Sequence, residues 1–151
     1  MQNILITGCS SGIGLQTALI LKENNIKVYA SARKEEDVKI LKNLGFETFL
    51  IDIRNKEDIT NALAVILKND LKLDAVFNNA GFGQPGAVED LSVEVLKKQF
   101  ETNFFGLHEI TIQAMKIFRT QGYGKIIQHS SVLGIISLKY RGAYNASKYA
   151  I

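Results

Sequence analysis

The chain contains one cysteine, one proline and no tryptophan. A lone Cys9 closes no internal disulfide, so a buried core must hold the fold, and its place in a glycine-rich loop is explained by its small size. No apolar run approaches the ~20 residues a helix needs to span a bilayer, which argues against membrane insertion. Met1 and Gln2 lead straight into a strand pattern, without a basic leader and cleavable apolar segment, so the default expectation is a cytoplasmic protein. Charge is dispersed too. The net +3 comes from scattered lysines such as Lys22, Lys34, Lys56, Lys97 and Lys125, with no basic block, and nucleic acid is not an expected partner. His108 and His129 have no second ligand at metal spacing, so no metal is expected and both histidines read as structural.

What is present is apolar substance in a regular order. With 151 residues, 46% of them hydrophobic, the chain can bury a sizeable core and reads as one domain without linker or repeat. Runs suited to buried parallel strands recur at 3–7, 26–31, 46–51, 73–77 and 124–130. Helical patterns separate them. One has Ile59, Ala62, Leu63, Ile66 and Leu67 on a single face; a longer one is predicted to carry Leu96, Phe100, Leu107, Ile110, Ala114 and Ile117. Asn103 interrupts that second stripe, and a buried amide left unpaired there would cost about 1–3 kcal/mol. The alternation predicts an α/β fold: a Rossmann-like, doubly wound parallel sheet of about five strands.

In such sheets ligands sit at the carboxyl ends of the strands, and the unusual residues of this chain fall there. The first strand runs into Thr7-Gly8-Cys9-Ser10-Ser11-Gly12-Ile13-Gly14. A strand that turns directly into a helix presents unpaired N–H groups and a positive dipole end to an anion, so Gly8, Ser10, Ser11, Gly12, Ile13 and Gly14 are candidates for a dinucleotide pyrophosphate. Asp52-Ile53 follows the third strand, Asn78-Asn79-Ala80-Gly81 the fourth and Ser130-Ser131 the fifth. Tyr144 and Lys148 stand four apart, which puts phenol and ammonium on one face if the segment is helical.

Thr-Gly-x-x-x-Gly-x-Gly, Asn-Asn-Ala-Gly and Ser-x12-Tyr-x-x-x-Lys, in this order on successive strand ends, closely resemble the short-chain dehydrogenase/reductase family over the whole chain. The resemblance implies hydride transfer between a nicotinamide dinucleotide and a carbonyl or alcohol. It implies Tyr144 as acid in reduction and base in oxidation, with Lys148 favouring the tyrosinate. Ser131 would hydrogen-bond the substrate oxygen, Ser130 would be structural, and Asn103 would hold a water that links Lys148 to solvent. Asp52 and Ile53 are expected at the adenine, and Asn79, Ala80 and Gly81 along the adenosine ribose. NAD-preferring relatives carry an acidic residue where this chain has Ala32, and the neighbouring Arg33 offers a planar fork suited to a 2′-phosphate, so NADP(H) is expected over NAD(H).

Family members continue past the Tyr-x-x-x-Lys helix, so residues 1–151 are expected to be the dinucleotide-binding part of a longer enzyme, truncated at the carboxyl end, with a frayed catalytic helix and impaired turnover. Relatives assemble through their long helices, and a homo-oligomer is expected at full length. Leu133, Ile135, Ile136, Leu138 and Tyr140 suggest a hydrophobic small-molecule carbonyl or alcohol substrate. The competing reading is a dinucleotide-binding sensor or scaffold, which would need only the earlier loops and not Ser131, Tyr144 and Lys148 together. An epimerase or dehydratase would space its first glycines as Gly-x-x-Gly-x-x-Gly, against Gly8, Gly12 and Gly14.

Overall fold

A computed structural model describes residues 1–151. Five strands, β1 (Asn3–Ile6), β2 (Lys27–Ala32), β3 (Glu47–Leu50), β4 (Ala75–Asn78) and β5 (Lys125–Gln128), form one parallel sheet in the order β3-β2-β1-β4-β5. Six α-helices flank it: α1 (Gly12–Glu23), α2 (Glu35–Asn43), α3 (Lys56–Asp70), α4 (Val93–Phe100), α5 (Leu107–Gln121) and α6 (Gly142–Tyr149). Because β1 is central, the chain winds outward to β3 on one side and then crosses to β4 on the other. The connections that follow β1 and β4 therefore lead to opposite sides of the sheet order, which places a crevice at the carboxyl ends of these strands.

The inner strands are buried on both faces, which is why they read as continuous apolar runs. Leu5 points into a core with Tyr29, Ile59, Ile66, Val76 and Ile110, beneath α3 and α5. Its neighbours Ile4 and Ile6 point the other way, onto Ala18, Val28, Leu41 and Phe77 beneath α1 and α2. The outer strands β3 and β5 depart from the expected burial, with exposed positions such as Leu50 and Ile127, because each has a sheet neighbour on one side alone.

The long helix is not continuous. Between α4 and α5 the chain makes a π-helical turn, Glu101–Gly106. A π turn inserts a residue and rotates what precedes it by roughly 100° relative to an α-helical register. The expected stripe accordingly holds in α5, where Leu107, Ile110 and Ala114 are buried, and fails in α4, where Leu96 is 40% exposed and Gln99 is fully buried instead. Gly106 permits the turn, since a Cβ there would lie 2.6 Å from Ile53 O.

At the amino ends of the strands a polar cluster closes the sheet. Asp70 accepts hydrogen bonds from Asn3 Nδ2 (3.0 Å), Lys27 Nζ (2.8 Å) and Tyr29 OH (2.8 Å). Burial pushes the Asp70 carboxyl up, but these donors outweigh it and hold it below the usual range.

Candidate active site

The β1–α1 turn is built by two glycines with positive φ, Gly8 (70°) and Gly12 (57°). A Cβ on Gly8 would lie 2.8 Å from Ala80 Cα, so glycine lets this turn touch the β4 loop, whereas Gly12 faces open space. Ser11 precedes α1 without capping it by its side chain, which leaves the helix start available to an anion. Gly14 fits the helix against the turn, because a Cβ there would lie 2.4 Å from Gly8 O.

Thr7, which the motif contained but which had no assigned role, ties the first and fourth strand ends together. Its Oγ1 accepts from both Asn79 N and Ala80 N at 3.0 Å. Asn79 returns the tie by donating from Nδ2 to Thr7 O and Gly8 O, each at 2.9 Å. Cys9, with no solvent exposure, packs beneath the turn, and burial pushes its thiol up to about 12, so it acts as a small apolar residue.

A cavity of about 780 Å³ lies over this turn. Its floor and one end comprise Gly8, Ser10, Ser11, Ile13, Arg33, Lys34, Asp37, Asp52 and Ile53; Asn79, Ala80, Gly81 and Phe82 form a wall; His129, Tyr144 and Lys148 stand at the other end. Arg33 is exposed and makes no ion pair, in contrast to Arg54, which pairs with Asp52. The Arg54 guanidinium also holds the Asp52 carboxyl below its usual range.

Lys148 is 6% exposed, and its ammonium lies 5.8 Å from the Tyr144 ring centroid and donates to His129 O at 2.7 Å. Burial pushes its pKa down from the usual lysine range. Asn103, in the π turn and 1% exposed, accepts from Phe82 N (3.0 Å) and donates to Phe82 O (2.9 Å) and Ser147 Oγ (3.1 Å). It therefore stands behind the cavity wall rather than in it. A Cβ on Gly81 would lie 3.1 Å from Asn103 Oδ1 and 3.9 Å from Lys148 Nζ, so the missing side chain keeps these two groups facing one space.

The two serines differ in their partners. Ser130 Oγ donates to Lys148 O at 3.0 Å, a structural bond. Ser131 follows the end of β5, but it does not line the cavity; its Oγ accepts from Leu133 N at 3.1 Å and caps the short turn that begins there. Gly12 and Gly14 shape the turn without lining the cavity. Sequence reasoning missed Gln99, Thr102, Asp37 and Phe82. Gln99 braces the wall, its Oε1 accepting from Gln84 N (2.7 Å) and its Nε2 donating to Phe82 O (2.8 Å). His129, read from the sequence as structural, lines the cavity; His108 is exposed and stacks on Phe104.

The profile described as short chain dehydrogenase matches residues 2–151. The uncharacterized oxidoreductase YbbO of Escherichia coli is 44% identical over 151 residues, spanning 99% of this chain and 56% of that protein. A 3-ketodihydrosphingosine reductase of Bacteroides thetaiotaomicron is 36% identical over 99% of this chain and 54% of its own length. Among solved structures, an actinorhodin polyketide ketoreductase with NADPH superposes with a TM-score of 0.91 at 30% identity, covering 99% of this chain and 60% of that one. An NAD⁺-bound xylitol dehydrogenase gives 0.91 at 26% identity, with 99% and 60% covered. The chain thus spans about half the length of the relatives it matches. Its parallel sheet, its glycine turn and its match over nearly every residue place it in the short-chain dehydrogenase/reductase family, and the ketoreductase and xylitol dehydrogenase structures just described each hold a nicotinamide dinucleotide.

Proposed function

We propose that the protein is an NADP(H)-dependent oxidoreductase that interconverts a hydrophobic carbonyl compound and its alcohol. One observation carries the reading: a single cavity has the glycine turn and Arg33 at one end and Tyr144 with Lys148 at the other. The fit to a dinucleotide is supported by the open space over Gly12, the helix start of α1 without a side-chain cap, and the length of the cavity from Asp52 to Tyr144. When bound, the nicotinamide supplies or receives the hydride.

The chain's own groups do the rest. Gly8, Ser10, Ser11 and Ile13 receive the phosphates on the turn that Gly12 and Gly14 shape; Asp52 and Ile53 flank the adenine; Asn79, Ala80 and Gly81 line the ribose side. Arg33, unpaired and beside Ala32, is free to hold a 2′-phosphate that an acidic residue would repel. Tyr144 gives its phenol proton to the carbonyl oxygen in reduction and takes it back in oxidation. The Lys148 ammonium stands beside its ring, 5.8 Å from the centroid. Ser131 accepts from Leu133 N and still has its hydroxyl proton to donate to the substrate oxygen. Asn103 faces Lys148 across Gly81 and belongs to the path that returns the proton to solvent. The exposed Ile135, Ile136, Leu138 and Tyr140 near the end of β5, and the name of the Bacteroides relative, support a hydrophobic substrate. Assembly of copies through the α4 and α5 region belongs to the same reading, as does a location in the cytoplasm; no helix is long and apolar enough to cross a membrane.

Replacing Tyr144 by Phe tests the chemistry. Turnover is expected to fall by about 10²–10⁴ with cofactor affinity kept, and unchanged turnover would remove Tyr144 as the acid. NADPH is expected to bind at least about tenfold more tightly than NADH, and Arg33→Ala to abolish the difference. Equal affinities in the unmodified protein would remove the cofactor preference.

A further inference from the structure

His129 stands at the Tyr144 end of the cavity but takes no part in the proton path above. Its backbone is fully used: N–H donates to Asn78 O at 3.1 Å, and the carbonyl accepts from Lys148 Nζ at 2.7 Å. Its ring is fixed on one face by stacking on Phe77, with centroids 5.9 Å apart, and on one edge by Nδ1 lying 2.9 Å from Asn79 Oδ1.

The neighbours decide which nitrogen carries the hydrogen. Asn79 Nδ2 spends both protons on carbonyl oxygens, Thr7 O and Gly8 O, which accept only. The amide is thereby locked with Oδ1 toward the imidazole. An amide oxygen also only accepts, so Nδ1 must be the donor and the neutral ring bears its lone pair on Nε2. Nε2 has no protein partner and is not sealed off, since the enclosed side-chain atoms without partners are Asn78 Oδ1 and Asn145 Oδ1. A proton taken up in acid therefore lands on Nε2 and leaves the Asn79 clamp intact.

We propose that His129 is a charge-reading residue of the cofactor site: bare Nε2 tolerates the cationic ring of the oxidised nicotinamide, protonated Nε2 repels it, and acid therefore favours the reduced cofactor. This rests on the reading that the nicotinamide lies at the Tyr144 end. Other charges bear on the same cavity: Lys148 and Tyr144 from α6, Arg33 and Lys34 after β2, Asp37 from α2 and Asp52 after β3, while β4 contributes only the uncharged Phe77 and Asn79. Burial first, and then the Lys148 ammonium, hold the imidazole below its usual range, so the neutral form governs at neutral pH. Both redox forms share their phosphates, riboses and adenine. Any pH effect on those parts cancels in the ratio of the two dissociation constants, which isolates the charge of the ring.

The test measures Kd for NADP⁺ and NADPH at about pH 7.5 and at the acid pH where the imidazole ¹⁵N shifts show the ring protonated, in the unmodified protein and in His129→Asn, which keeps an N–H near the position of Nδ1. The ratio Kd(NADP⁺)/Kd(NADPH) is expected to rise by about fivefold or more on acidification in the first and to stay flat in the second. Long-range ¹H–¹⁵N correlation on the imidazole is expected to show Nδ1–H at neutral pH. A flat ratio in the unmodified protein, an equal rise in His129→Asn, or an Nε2–H tautomer would each overturn the inference while leaving the cavity a dinucleotide site. Failure to bind either cofactor at either pH would overturn the reading of the cavity and this inference with it.

Discussion

Replacing Asn103 by Ala removes a buried amide that braces the cavity wall from behind, and the three hydrogen bonds of this amide do not fail alike. Phe82 O keeps its bond from Gln99 Nε2 at 2.8 Å, and the Ser147 hydroxyl keeps donating to Tyr144 O at 2.8 Å. Phe82 N–H alone is left without a partner. Three lost bonds at about 0.5–1.5 kcal/mol each, softened by the two groups that stay paired and sharpened by the one orphaned donor, give about 2–4 kcal/mol. For a chain of this size the thermal midpoint would fall by about 5–15 °C. Urea unfolding monitored by circular dichroism, with an unchanged m-value, reads the energy directly. A loss below about 0.5 kcal/mol would refute the reasoning. The shared carbonyl gives a second check. Gln99→Ala and Asn103→Ala each leave Phe82 O one donor, and together they leave none, so the double variant should lose about 1 kcal/mol beyond the sum. Strict additivity would show that the two amides do not brace the same loop.

Gly14→Ala places a methyl 2.4 Å from both Gly8 O and Asn79 Nδ2, groups already bonded to each other, so neither can yield. We expect a loss of about 1–3 kcal/mol in denaturant titration together with weakened cofactor binding; wild-type affinity would contradict the close fit of α1. Asp70 supplies an acid prediction. Its carboxyl is held below the usual range in the folded protein, so its stabilising effect is complete above the unfolded pKa of about 4 and is lost as pH falls through the lower, folded value. Urea midpoints between about pH 5 and pH 2 should therefore fall more steeply in the unmodified protein than in Asp70→Asn, which should itself cost about 1–2 kcal/mol at pH 7. Parallel curves would remove Asp70 from the account.

The sheet was legible because its inner strands are buried on both faces, so that Ile4, Leu5 and Ile6 need no alternation to be recognised. Asn103 was legible for the opposite reason, as a polar residue in an apolar stripe. Gln99 was not, because a glutamine among Lys97, Lys98 and Glu101 looks like a solvated helix face until the π turn rotates α4. That turn also brings Gly106 close to Ile53, a contact between residues distant in sequence that local pattern does not encode. The hydroxyl direction of Ser131 was hidden too, since it follows from a bond made two residues on, to Leu133 N. His129 was discounted for want of a second metal ligand, yet its surroundings come from Asn79, fifty residues away.

Tyr144 and Lys148 lie on α6, which is fastened to the end of β5. Lys148 is held at both its ends, its backbone oxygen by Ser130 Oγ and its ammonium by His129 O. Gly134 lets the chain close over this junction, because a Cβ there would lie 2.6 Å from Ser130 Oγ and 2.7 Å from Lys148 O. Ser147 adds a third fastening through Asn103 to the π turn. The phenol and ammonium are therefore set by the neighbouring strand and by α4–α5 rather than by helix propensity. It follows that substitutions at Ser130 or Gly134, which touch neither cofactor nor substrate in the reading above, should move turnover more than global stability.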